Sequence, residues 1–299
     1  MVMKHGAPLR LRVVIEPGGR RMWFGERPVH SLPEYLSVLK AVAFTPDDLI
    51  MVKGPPILRR RFLDRAAFLF EPLHLLAVRE FSTALRSRNR LVREKIQPDP
   101  MLLDSYTETL AKSGVAVSAG RLKAMQRISL KATALLSELF GIQSVVNISF
   151  CPGWSMEGGD EVQNLSSQLH RAQHSEKKGR IAIVGPQSDD FDVTFSEASI
   201  RQFGSQGQQR AVALALLLAV VEELLKEGGE PPAILLDDFS SELDEQRRAM
   251  LFAKVLSLGS QVLVTTTNES LLQGLIIGST RRFIVTSGCV REVVPGGHS

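Results

Sequence analysis

The chain has 299 residues, 44% hydrophobic, 23% charged and 6% aromatic, which excludes disorder and collagen-like fibre and suffices for one large or two modest cores. Thirty-six Lys and Arg face 32 Asp and Glu for a formal charge of +4, so attraction to a polyanion must come from local clustering. Cys151 and Cys289 have no CxxC neighbour, which argues for a reducing cytoplasm, and the longest apolar run, 211–221, falls short of a membrane span, with no secretory stretch at the N-terminus.

Residues 10–29 predict a meander of short antiparallel strands, turning at Pro17 to Gly19 and at Gly25-Glu26. A short helix over 32–39 and a strand over 40–44 follow, and Thr45-Pro46-Asp47-Asp48 opens a turn or helix cap. Residues 58–96 are helix-forming, with a break or kink at Pro72 and a stop at Pro98-Asp99-Pro100. Two further helices are expected over 101–112 and 121–140, the second capped by Gly141. Strand character returns over 144–150, followed by a loop, an amphipathic helix over 161–178 and a strand over 180–184.

The last third has βαβ grammar: a Gly-rich turn, a long apolar helix, the strand 233–236, an acidic turn, the helix 244–258 and the strand 261–266. Such apolar strands imply a parallel sheet covered on both faces. Strand 233–236 ends in Asp237-Asp238, at the carboxyl end where a ligand crevice opens; there Asp237 could bind a nucleotide's Mg²⁺ and Asp238 orient a water. Acids at a strand end can equally cap the next helix. Phe203-Gly204-Ser205-Gln206-Gly207-Gln208-Gln209-Arg210 places glycines and a serine at the mouth of the long helix, where unpaired N–H groups favour a phosphate. An N-cap serine between permissive glycines is the plainer reading of that turn alone.

Ser240-Ser241-Glu242-Leu243-Asp244 follows, and after a helix Val262-Leu263-Val264-Thr265-Thr266-Thr267-Asn268. In this order and spacing the set closely resembles the ATP-binding-cassette ATPase head of the RecF recombinational repair family, with the SMC and cohesion ATPases as more distant kin. The resemblance extends upstream through Phe44-Thr45-Pro46-Asp47-Asp48-Leu49, Val52-Lys53-Gly54, Arg59-Arg60-Arg61-Phe62-Leu63-Asp64-Arg65 and Arg86-Ser87-Arg88-Asn89, nearly the whole chain. It implies an α/β P-loop NTPase head of the ABC/SMC type, N-terminally incomplete, over 1–56 and 144–299, with an inserted helical arm over 57–143. It further implies that Ser205 and Gly207 form the signature motif, touching the γ-phosphate of ATP held by the other subunit of a homodimer, with Gln208 in support. Asp237 becomes the Mg²⁺ ligand, Asp238 the acid that polarises water, Ser241 to Asp244 the D-loop, and Thr266, with its threonine neighbours, the switch.

Two departures stand beside the resemblance. No GxxxxGK[ST] occurs in these residues, and the family carries that loop ahead of the strand matching Leu11 to Ile15, so the chain resembles a member without its opening segment. Gln187-Ser188 replaces a His-Arg pair, and Asn268 an aspartate.

Between residues 53 and 96, eleven Lys or Arg face four acids, a local balance of +7. These charges could form a solvated helix face or neutralise DNA phosphates; the resemblance favours DNA, with Arg59, Arg60, Arg61, Arg65, Arg86 and Arg88 as contacts. The reading is an ATP-dependent clamp on double-stranded DNA near a gap that helps RecA load, with RecO and RecR as partners. The alternative is a truncated, non-hydrolysing paralogue acting as a DNA-binding or scaffold protein. His170 and His174 have metal-clamp spacing but no third ligand nearby, and are expected to be an exposed polar face.

Overall fold

The computed structural model describes residues 2–4, 7–17, 19–93, 99–157, 159–179, 183–227, 231–238, 244–268 and 280–293. A hairpin of β1 (Val2–Lys4) and β2 (Ala7–Leu9) leads into the meander β3 (Leu11–Glu16), β4 (Gly19–Phe24) and β5 (Arg27–Val29), antiparallel in that order. Helix α1 (Leu32–Val38) starts on the Ser31 cap, and β6 (Ala41–Phe44) follows. Thr45 and Asp48 then close a capping box around α2 (Pro46–Leu49).

The basic segment is helical as expected: α3 (Pro56–Phe70) and α4 (His74–Arg93), separated at Pro72. The two helices expected over 101–112 and 121–140 are one, α5 (Pro100–Phe140), 41 residues capped by Asp99 and ended by Gly141 at φ 62°. The glycines between them serve packing rather than helix breaking. A Cβ on Gly120 would strike the His74 ring, so its absence lets α4 lie close against α5.

Strand β7 (Val146–Cys151) follows, then α6 (Glu161–Gly179). The strand expected over 180–184 is not formed where the chain is described: Ile183 and Val184 are irregular, and 180–182 lie outside the described residues. A 3₁₀ turn at Pro186–Ser188 instead feeds β8 (Asp190–Phe195), whose Phe191, Val193 and Phe195 point inward and which pairs antiparallel with β7. Beyond β9 (Ala198–Ser199) and the short α7 (Ile200–Phe203) runs α8 (Gln206–Lys226), buried continuously from Ala211 to Leu224.

Strand β10 (Ala233–Asp237), α9 (Glu245–Ser257) and β11 (Val262–Thr265) complete the βαβ unit, and the hairpin β12 (Arg282–Thr286) and β13 (Cys289–Val293) follows. The parallel sheet runs β11-β10-β6. Its inner face, Val42, Phe44, Ile234 and Leu236, is buried in one core with α8. The expectation of cover on both faces is not met: Leu235 and Leu263, side by side on the other face, are 36% and 50% exposed. Helices α8 and α9 both add to the inner core, which leaves the outer face open among the described residues. No described helix is long and apolar enough to cross a membrane.

Replacing Gly120 with alanine should destabilise the protein by about 1–3 kcal/mol, because the added methyl meets the His74 ring rather than free space. A lowered urea midpoint with an unchanged slope checks this.

Candidate functional site

Asp237 stands at the carboxyl end of β10, in register with Thr265 of β11. Thr265 Oγ1 donates to Asp237 Oδ1 at 2.5 Å and accepts the Asp238 N–H at 3.2 Å. Asp238 has φ +41°, an uncommon conformation for a residue with a Cβ, of the kind that concentrates at functional turns. One hydroxyl thus sets the geometry of both acids. That hydroxyl belongs to Thr265 rather than Thr266, whose Oγ1 is engaged with the backbone of Asn268. Two carboxylates and a hydroxyl at an exposed strand end are hard oxygen donors of the kind that suits Mg²⁺. Ser241 lies outside the described residues.

At the mouth of α8, Ser205 Oγ accepts the Gln208 N–H at 3.2 Å, and Gln208 Oε1 accepts the Ser205 N–H at 2.9 Å. This capping box is the plain role of Ser205 and Gln208, and it still leaves the serine's own proton free to donate outward. Buried Gln209 donates to the carbonyls of Ile200 and Gly204 at 3.3 and 2.9 Å, fixing α7 against α8. A Cβ on Gly207 would lie 3.1 Å from an Arg247 guanidinium nitrogen. Arg247 in turn lies 3.4 Å from Asp244, the N-cap of α9. A serine hydroxyl, open helix N–H groups and a guanidinium therefore converge where an anion is favoured. Arg247 escaped the sequence reading; its spacing of three from Asp244 was the available signal.

The basic helices divide sharply. Arg59 is 1% exposed; its guanidinium donates to the Met51, Val52 and Gly54 carbonyls and to Asp190 at 2.5 and 3.0 Å. Arg88, also 1% exposed, donates to Thr107 and to the Leu169 carbonyl. The expectation that these two contact DNA is therefore corrected: with their donors committed inside the protein, they cannot reach a phosphate. Arg60 donates to the Asp189 carbonyl, and burial together with nearby Arg121 lowers its pKa. Arg61 and Arg86 are exposed, and Arg65 is half-exposed although bonded to Asp48. On α4, Arg79, Arg86 and Arg90 recur along one exposed face.

Arg59 belongs to a buried network. Arg121 on α5 binds Asp64 through two nitrogens at 2.8 and 2.9 Å, and Asp189 at 3.0 Å. His74 also meets Asp64, Ser118 donates to Asp189, and the Trp154 indole N–H donates to Ser118. Arg201 on α7 donates to Asp190 and to the Phe191 carbonyl. Burial pushes the Asp64 carboxyl up, but hydrogen bonds from His74 and Arg121 more than offset this and hold it below its ordinary value. At Asp190 burial is likewise outweighed, by Arg59 and the Phe191 N–H. At Asp189 burial prevails and raises the pKa, despite bonds from Gly153, Arg121 and Ser118.

A parallel sheet packed on α8, with a helical block joined to it through a buried ion-pair network, is a mixed α/β fold that solved proteins share. The model superposes on solved structures of the recombination mediator protein RecF with ATPrS and with ATP, at TM-scores of 0.81 and 0.79 and 24% identity, covering 95% of this chain and 76% of each of those. No protein-family model matches the chain. The DNA replication and repair protein RecF of Myxococcus xanthus is 37% identical over 296 residues, 95% of this chain and 77% of that protein. That of Geotalea uraniireducens is 32% identical over 292 residues, 97% of this chain and 79% of that protein. The chain belongs to the RecF family.

Truncating Arg59 to alanine leaves Asp190 with Arg201 alone and strips the Met51, Val52 and Gly54 carbonyls of a buried donor, and should cost about 3–5 kcal/mol, whereas the same change at exposed Arg61 should stay within about 0.5 kcal/mol; paired urea titrations compare them. Acid should weaken the fold. Asp64 and Asp190 have depressed folded pKa values, so their stabilisation is present above the unfolded carboxylate value of about 3.9 and is lost as pH falls through the folded values. Asp189, raised, offsets part of that loss. The urea midpoint should therefore decline below about pH 4, and replacing Asp64 with asparagine should flatten the decline.

Proposed function

We propose that this chain is one half of an ATP-dependent DNA clamp that acts in gap repair. Ser205 of one head would complete an ATP site whose phosphate grip belongs to the opposing head. Support comes from the mouth of α8, where the Ser205 hydroxyl, the Gly207 backbone and the Arg247 guanidinium present an anion-receptive surface, together with the carboxylate of Asp237 held by Thr265 at the end of β10. On this reading each group serves a different nucleotide across a dimer. The relatives' names supply the setting, DNA replication and repair in the RecFOR pathway; to that setting we add RecA loading at single-strand gaps, RecO and RecR as partners, and a cytoplasmic location.

The division of labour follows from the residues. Residues 1–56 and 144–299 form the ATPase head, and 57–143 the helical arm. Asp237 offers the carboxylate for Mg²⁺, which when bound would offset charge on the phosphate oxygens. Asp238 is placed beside it to orient water, and Asp244 positions the start of α9. Gln208 holds the serine in its cap, and Thr265 fixes the acid pair, with Thr266 shaping the following turn. Arg61, Arg65 and Arg86 remain at the surface for double-stranded and gapped DNA, with Arg60 half-buried behind them. No GxxxxGK[ST] stretch lies in these residues, so the grip on the β- and γ-phosphates is not theirs.

A mixing experiment tests this. The chain alone should not hydrolyse ATP. Added to a P-loop-bearing family protomer whose own signature serine has been replaced by arginine, it should restore Mg²⁺-dependent hydrolysis. Ser205→Arg in this chain should lower the restored rate by about 10²-fold or more, the scale of losing a transition-state donor. Restoration that survives Ser205→Arg would dispose of the composite site, and no restoration at all would favour a non-hydrolysing DNA-binding scaffold.

A further inference from the structure

Between residues 10 and 27 the meander carries five arginines, Arg10, Arg12, Arg20, Arg21 and Arg27, against Glu16 and Glu26. The antiparallel register sorts them. Arg12 faces Trp23 and Val14 faces Arg21 across β3 and β4, and the Gly25 N–H bonded to the Arg10 carbonyl at 2.7 Å extends the ladder by one step. Side chains alternate along a strand, so Arg10, Arg12, Glu16, Arg21 and Trp23 share one face. The opposite face holds buried Met22 and Val29, and Phe24 stacked on Tyr35 of α1 with ring centroids 5.6 Å apart. The arginine face is therefore the outward one where Met22, Phe24 and Val29 back the sheet, while Val13 and Ile15 on the opposite face are themselves exposed.

Local pairing uses up some of this charge. Glu16 takes Arg21, and Glu34 takes Arg27 at 2.7 Å. Among the described residues no carboxylate pairs with Arg10, Arg12 or Arg20. Arg12 is nonetheless held in place, its guanidinium 4.2 Å from the Trp23 ring centroid while Pro28 is Trp23's cross-strand neighbour on β5. A guanidinium stacked on an indole keeps its N–H fork turned outward and has already lost much of its rotamer freedom. Two residues of strand advance ~6.8 Å, the axial rise of two phosphates on one DNA strand at ~3.4 Å each. Arg10 and Arg12, two residues apart on one face, can thus reach neighbouring phosphates of one backbone with their long side chains.

We propose that this outward face of the meander is a second contact surface for the DNA phosphate backbone, separate from the helical arm and without base reading. The proposal rests on the DNA-binding reading above. It assigns phosphate contacts to Arg10 and Arg12, with Trp23 as the positioning residue that aims Arg12.

Fluorescence anisotropy of a labelled gapped duplex, titrated at several salt concentrations, tests it. For Arg10→Gln/Arg12→Gln the slope of log Kobs against log salt should fall by about 2, one for each lost contact. Arg20→Gln, a charge loss on the opposite face, should leave the slope unchanged, and Trp23→Leu should weaken binding only while Arg12 is present. Unchanged urea midpoints confirm that these exposed changes leave the fold intact. If the wild-type chain binds DNA and the double variant keeps its slope, the meander surface is overturned while DNA binding stands. If Arg20→Gln lowers the slope as much as Arg12→Gln does, the effect is net charge and the face assignment fails. If polyglutamate of matched charge displaces the duplex equally well, the surface is a general polyanion patch and the proposal falls. A wild-type chain that binds no DNA removes both readings together.

Discussion

Charges taken out of water must find partners, and in this chain that rule joins the helical block to the head. Arg59 from α3, Arg121 from α5 and Arg201 from α7 converge on Asp189 and Asp190, the two acids that open β8, and Asp64 with His74 closes the network from behind. Removing Arg121 leaves buried Asp189 without its cation, a larger penalty than the pair itself is worth, while Arg59 and Arg201 share Asp190. The junction therefore works as a unit, and the close approach of α4 to α5 at Gly120 brings His74 into it.

The same unit sets the position of the signature serine. Asp190 takes Arg59 on one side and Arg201 on the other, and Arg201 lies on α7, directly ahead of Gly204 and Ser205. Gln209 then ties α7 to the first turn of α8. Between the base of the helical block and the serine hydroxyl every step is a side-chain hydrogen bond or a short helix. The serine is consequently placed by the packing of α3 against β8 as much as by its own cap.

Much of this was legible in residue order. Period-two runs bounded by glycine and proline marked the meander, Pro72 separated α3 from α4, and the apolar run before Asp237-Asp238 marked a parallel strand. The misses have physical causes. Glycines inside α5 read as breaks because their packing partner, His74, comes from another helix. Strand β8 announces itself in Asp-Phe-Asp-Val-Thr-Phe, a clean alternation overshadowed by the Gly-Pro turn before it. Burial of Arg59 and Arg88 could not be read from a run of arginines, because the run is identical whether its carboxylate and carbonyl partners are distant or nearby. Which of the three threonines holds the acids, Thr265, was not readable, and Arg247 was passed over, since each acts on a group contributed by a different element.

The open face of the parallel sheet bears on the acid pair in a further way. Leu235 and Leu263 lie side by side on that face, and two register steps further, at its carboxyl end, comes the pair Asp237 and Thr265. Parallel sheets are stable when both faces are covered, and exposed leucines at 36% and 50% leave apolar area in water. An element that buried this face would end close to Asp237, excluding water from one side of a carboxylate whose other contact is the Thr265 hydroxyl. Lower local dielectric strengthens every charge interaction at such a point. Apolar cover on the leucines and a sharper acid pair would thus go together, because Leu235 and Asp237 share one face of β10 two residues apart.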